Sequence, residues 1–271
     1  MGISEGELRT LEGFRAILAR LRGPDGCPWD RVQTHASLKP YLLEEAYEAL
    51  AALDEGDSRK LCDELGDLLL EVLLHIQLAE EAQEFTLADV IYGIASKIVR
   101  RHPHIFGEEK ADSPQEVMVR WEALKREERG PEGSALAGVP QAMPALARAQ
   151  MLLARAATVG FEWPQTGDVL DKLGEELEEL AQAEELEHKR EEMGDVLFLL
   201  VNLSFYLDLN AEEALRQANR KFYQRFTTME ALAREQGRSL ADMPLAEQQG
   251  LWRAAKERLR AEEGSPQGAA G

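Results

Sequence analysis

Glu176 and Glu179 stand three residues apart, and Glu192 and Asp195 repeat that interval after a gap of 12 residues. On a helix, side chains three apart share a face. Twelve residues suffice to finish one helix, turn, and start an antiparallel neighbour, so the two pairs predict four carboxylates brought together. Such a cluster repels itself, and Asp195 opens the apolar run VLFLLVNLSFYL, where a bare charge is costly. A hard divalent cation answers both problems. Ligation by oxygen alone, with no His or Cys, points to Mg²⁺, or Mn²⁺ in its place. Mg²⁺ held by carboxylates completes its shell with water and substrate phosphates, so the pattern points to a phosphorylated substrate.

A lone ExxE in a Glu-rich helical chain is usually a solvated face. Here the whole arrangement recurs, as Glu45 and Glu48 followed by Glu64 and Asp67. Lys221 and Arg225 lie one helical turn apart, echoed by Lys97 and Arg101. They read either as an ordinary amphipathic surface or as phosphate clamps, Arg by its fork and Lys as a point charge. Trp252, echoed by Trp121, is either a stacking face for a base or a core tryptophan. His102 and His104 lack cysteine partners or helical spacing for zinc. Glu71 and His75 are four apart, where a ferritin-like di-iron site wants three, and the second half has no counterpart. There is no Walker loop, no GxGxxG and no Ser-His-Asp signature.

The elements that must position these groups are helices. One is expected from Ser37 to Leu53, stopped at Gly56, and a central one over Leu61 to Gln77. Thr86 with Asp89 predicts an N-cap, opening a helix that runs through Lys97 to Arg101 and stops at His102-Pro103. No period-two alternation is sustained, so the fold class is all-α. Six elements recur in order, among them LAR at 18–20 and 153–155, GCPW at 26–29 and GFEW at 160–163, and the tryptophans at 121 and 252. The chain reads as a tandem duplication: a domain over 1–130, a Gly/Pro/Ser-rich linker over 131–142, a second domain over 143–262 and a disordered tail over 263–271.

Fifty Asp and Glu against 31 Lys and Arg give a net charge of −19. Binding to nucleic acid or anionic membrane draws on basic surface, so neither is an expected partner. Two cysteines, Cys27 and Cys62, make no disulfide framework and suit a reducing cytoplasm. The acidic N-terminus has no signal-peptide character, and no stretch reaches the roughly 18 apolar residues of a membrane span.

These residues resemble the MazG family of nucleoside triphosphate pyrophosphohydrolases, within the all-α NTP pyrophosphatase superfamily. The carriers are GCPWD at 26–30, YLLEEAYE at 41–48, DELGDLLL at 63–70, RRHPHIF at 100–106, VGFEW at 159–163, the EELEE run from Glu175, EEMGDVLF at 191–198 and NRKFYQRF at 219–226. The match runs from about residue 8 to about residue 260. The resemblance implies two helical bundles, each with a carboxylate metal site, and Mg²⁺-dependent cleavage of a triphosphate to nucleoside monophosphate and pyrophosphate. It also implies broad specificity, nucleotide-pool housekeeping and a homodimer. By the family pattern Glu176, Glu179, Glu192 and Asp195 hold Mg²⁺. Lys172, Lys221 and Arg225 bind phosphates, with Lys189 and Arg190 as further candidates, and Trp252 lies near the base. Glu175 or Glu176 is the general base, acting with Lys221 and Arg225 on the leaving pyrophosphate. The first copy keeps Glu45, Glu48, Glu64, Asp67, Lys97, Arg101 and Trp121 but has Tyr41 where the second has Lys172. The second half is therefore the expected active site. Rival readings are a dUTPase- or dCTPase-like specialist and a non-catalytic nucleotide-sensing module.

Overall fold

A computed structural model describes residues 3–129 and 134–263, and among these there is no strand. The chain divides into two compact units, Met1–Trp121 and Glu122–Gly271. The division falls inside one helix. Residue 130 of the expected first domain, residues 131–133 of the expected linker and 264–271 of the expected tail lie outside the described residues, while 135–138 form turns and Glu263 ends a helix.

The first unit begins with a short 3₁₀ turn, then α1 (Leu11–Arg22), α2 (Pro28–Arg31), α3 (His35–Glu55), α4 (Ser58–Ala82), α5 (Leu87–Arg101) and α6 (Pro103–Phe106); α7 (Pro114–Arg129) starts within it. Its frame is the antiparallel pair α3 and α4, with α1 laid against α4. Helix α3 starts two residues before the expected Ser37. The reason is a reciprocal cap: the Thr34 hydroxyl accepts from the Ser37 N–H and the Ser37 hydroxyl from the Thr34 N–H. Helix α3 ends as expected at Gly56, whose φ of 69° is the left-handed conformation glycine adopts without strain. Helix α4 opens three residues before the expected Leu61, because Asp57 accepts from the backbone N–H groups of Arg59 and Lys60. Thr86 caps α5 with Asp89 answering, and the helix stops at His102. The core gathers Leu18 of α1, Leu38 of α3, and Leu73, Leu74 and Ile76 of α4. Helix α5 buries none of its residues; Ile91, Ile94 and Ile98 are exposed.

The second unit repeats the plan with α8 (Ala145–Ala157), α9 (Thr166–Gln182), α10 (Leu186–Tyr206), α11 (Ala211–Glu235) and α12 (Leu245–Glu263). Helices α9 and α10 form the antiparallel pair, α8 packs on α10 and α11, and α11 packs on α12. Val169, Val196, Leu199 and Val201 are buried around the first pair. Met229, Ala233, Met243, Leu251 and Ala255 form the core between α11 and α12. Among the described residues no helix is long and apolar enough to cross a membrane.

Candidate active site

Glu176 and Glu179 reach across from α9 to Glu192 of α10, and one carboxylate oxygen of each lies within 4.8 Å of the others. Glu176 is 8% exposed and Glu192 6%. Asp195, one turn further along α10, stands outside that triplet. It lines an adjoining cavity with Lys172 and Glu176. The expected convergence therefore holds for three of the carboxylates, with the fourth alongside.

Lys172 sits one turn before Glu176. Its Nζ lies 2.9 Å from Glu175 and 3.0 Å from Glu176. Those hydrogen bonds, first to Glu175 and then to Glu176, raise the lysine's pKa and keep it charged. Lys172 in turn holds the Glu176 carboxyl below its ordinary value. Glu192 goes the other way: burial raises its pKa, and the hydrogen bond with Glu176 and the charge of Glu179 add to the shift. Two carboxyls this close are coupled, and ionising one opposes ionising the other. The donor set is all oxygen, crowded and reluctant to ionise fully, so a hard divalent cation fits it. His188, one turn before Glu192, approaches its Oε1 at 2.8 Å.

The cavity has a volume of about 450 Å³. Beyond Lys172, Glu176 and Asp195 its walls are apolar, with Phe161, Trp163 and Phe198 among them, and Asn202 set into the lining. Gly160 turns the chain into this wall with φ of 80°, a backbone that favours glycine. The Tyr206 hydroxyl donates to the Trp163 carbonyl and ties the loop to α10.

The remaining expected residues lie elsewhere on the second unit. Lys221 and Arg225 line a separate cleft on α11 and α12 with Lys256 and Arg260. Trp252 packs at the edge of the α11–α12 core, its centroid 5.5 Å from that of Phe222, with the Arg225 guanidinium 6.0 Å from its ring. Lys189 and Arg190 are exposed at the head of α10, and Arg190 pairs with Glu187. Neither lines the cavity. His188, Asn202 and the aromatic wall carry no expectation from the sequence. The four-residue step from His188 to Glu192 is the one legible signal among them.

The first copy mirrors part of this. Oxygens of Glu45, Glu48 and Glu64 also fall within 4.8 Å of one another. Burial raises the pKa of Glu45 and Glu64, and neighbouring carboxylates, Asp67 among them, add to it. Where Lys172 steadies the second cluster, Tyr41 packs edge-to-face with Trp29, ring centroids 6.1 Å apart. Lys97 and Arg101 lie on α5, and the Arg101 guanidinium sits 5.4 Å from the Trp121 ring, duplicating the Arg225–Trp252 contact.

The description "MazG nucleotide pyrophosphohydrolase domain" matches residues 33–106 and again 166–229. Over 246 residues the chain is 44% identical to a nucleoside triphosphate pyrophosphohydrolase/pyrophosphatase MazG of Thermotoga maritima, covering 90% of this chain and 95% of that protein. A nucleoside triphosphate pyrophosphohydrolase of Escherichia coli K12 is 40% identical over 257 residues, covering 92% of this chain and 98% of its own length. With the domain matched twice, in the two helix pairs that carry the carboxylate clusters, the chain belongs to the MazG nucleotide pyrophosphohydrolase family.

Proposed function

We propose that this chain hydrolyses nucleoside and deoxynucleoside triphosphates to the monophosphate and pyrophosphate, using Mg²⁺ held in its second copy. One observation carries the reading: Glu176, Glu179 and Glu192 converge beside Lys172, and Glu176 and Lys172 line a largely apolar cavity. Relatives named for this reaction cover nearly the whole chain. Glu176, Glu179, Glu192 and Asp195 would hold the ion, with Mn²⁺ as its substitute. When bound, it supplies Lewis-acid polarisation of phosphate oxygens.

The protein's own groups do the rest. Lys172, kept protonated by two carboxylates, presents a point charge to the phosphates. Glu175 or Glu176 accepts the proton of a water whose oxygen bonds to the α-phosphorus in line. The bond from that phosphorus to the α,β-bridging oxygen breaks, and pyrophosphate leaves with that oxygen. Lys221 and Arg225 are assigned to the departing pyrophosphate on the family resemblance. They share α11 with exposed Leu215, Phe222 and Phe226, a face that supports the homodimer. Breadth of base acceptance, a cytoplasmic setting and a role in clearing the nucleotide pool complete the proposal.

The test is pyrophosphate release from a mixed triphosphate pool with Mg²⁺, against an EDTA control and the Glu192→Ala and Glu64→Ala variants. Metal-dependent release that disappears in Glu192→Ala and persists in Glu64→Ala is expected. Release that survives Glu192→Ala places the reaction in the first copy and overturns the assignment.

A further inference from the structure

Asn202 is 5% exposed and lines the cavity beside the carboxylates, yet its carboxamide makes no hydrogen bond to any described residue. A carboxamide offers two N–H donors and a carbonyl acceptor, and here they open onto the cavity rather than onto a protein partner. Packing alone does not call for it. At the equivalent position the first copy has Leu74, buried in its core cluster.

The surroundings say what the amide is for. Asp195, Leu199, Asn202 and Tyr206 follow one another at helical intervals, forming one stripe of α10, and all four line the cavity. Along α10 the cavity lining runs from Asp195, which shares it with Lys172 and Glu176, past Phe198 to Phe205 and Tyr206. The first copy has Leu70, Gln77 and Leu78 in place of those three rings. Seven residues of α-helix, from Asp195 to Asn202, span roughly 10 Å. That suits a nucleotide with its phosphates at Asp195 and its base at Asn202.

We infer that Asn202 is the base-reading residue of the second copy, its carboxamide pairing with the donor–acceptor edge of a nucleobase set among the aromatic rings. The assignment rests on the reaction proposed above and departs from Trp252 as the base contact, since Trp252 does not line this cavity. Rotation of the amide exchanges donor and acceptor, so one residue serves several bases.

Isothermal titration of the Mg²⁺-loaded full chain with α,β-methylene analogues of ATP, GTP, CTP and UTP isolates binding from turnover. Asn202→Leu, the side chain of the first copy, should weaken every analogue about tenfold or more and leave inorganic tripolyphosphate, which has no base, unaffected. Asn202→Asp keeps the shape but replaces a donor with an acceptor, so cytosine and adenine, with their exocyclic amino groups, should gain on uracil. Circular dichroism and melting report whether each variant folds; if the leucine does not, the aspartate decides. Equal losses for tripolyphosphate, or a base ranking untouched by Asn202→Asp, would overturn the inference. A wild type that shows the binding pattern but releases no pyrophosphate refutes the reaction and leaves Asn202 as the base reader.

Discussion

Glu71 invites a substitution whose outcome follows from its surroundings. It lies on α4 of the first unit, 6% exposed, with its Oε2 buried and unpaired. Burial, and then the charge of Glu45, hold its carboxyl above the usual range. The second copy has Leu199 at the equivalent place, so Glu71→Leu exchanges an unsatisfied acid for the side chain the same helix already accommodates. An unpaired buried acceptor costs about 1–3 kcal/mol. The expected gain near neutral pH is about 2 kcal/mol, or roughly 4–8 °C in Tm for a unit of this size. The sign with pH is fixed by the direction of the shift. A carboxyl whose folded pKa is raised contributes stability that is fully present below its unfolded pKa and lost as pH rises through the folded value. The wild type should therefore weaken on going from mildly acid to neutral pH, and the variant should lack that component of the loss. Thermal and urea denaturation in EDTA, from about pH 4 to about pH 8, measures the gap, which should widen with pH. A gap independent of pH, or a less stable variant, would refute the reasoning, since Glu71 would then have a partner that holds its charge. Pyrophosphate release should survive the substitution, because the change lies in the first copy.

Two further outcomes follow from the carboxylate clusters. Lys172→Ala removes the cation that lowers the pKa of Glu176 and to which the proposed function gives the phosphates; kcat/KM should fall about tenfold to a hundredfold, mostly through KM, and steady-state kinetics that show no change in KM would count against the role. Glu45, Glu64 and Glu192 all have raised pKa values, so metal-free protein should lose thermal stability as pH rises through their titration, and saturating Mg²⁺ should flatten that profile. Identical melting profiles with and without the ion would argue against metal at either cluster.

What could be read from the sequence was what lies within one helix or recurs between the copies. The all-α class, the duplication, the stop at Gly56 and the cap at Thr86 depend on neighbours a few residues away. The facing of Glu176 and Glu179 onto Glu192 was legible because only a short turn separates their helices. Early helix starts escaped notice because Thr34 and Asp57 cap from outside the apolar pattern. In the sequence Asn202 sits inside the apolar run VLFLLVNLSFYL; only the folded pair α9–α10, with the loop at Gly160, shows that it opens into a cavity. Trp252 illustrates the opposite limit. Spacing allowed a stacking face or a core position, and in the fold the ring lies half-buried against Phe222 and the α11–α12 core.

The unequal fate of the two copies has an arithmetical side. Both retain a triplet of acids, whereas the aromatic recess with its amide belongs to the second, and leucines stand at most of the matching places in the first. On the reading proposed above, one polypeptide would offer two seats for a divalent ion and one for a base. An inhibitor built only to chelate would be drawn to both halves and diluted between them, while a compound carrying a flat heterocycle on a short anionic arm would find a single address per chain.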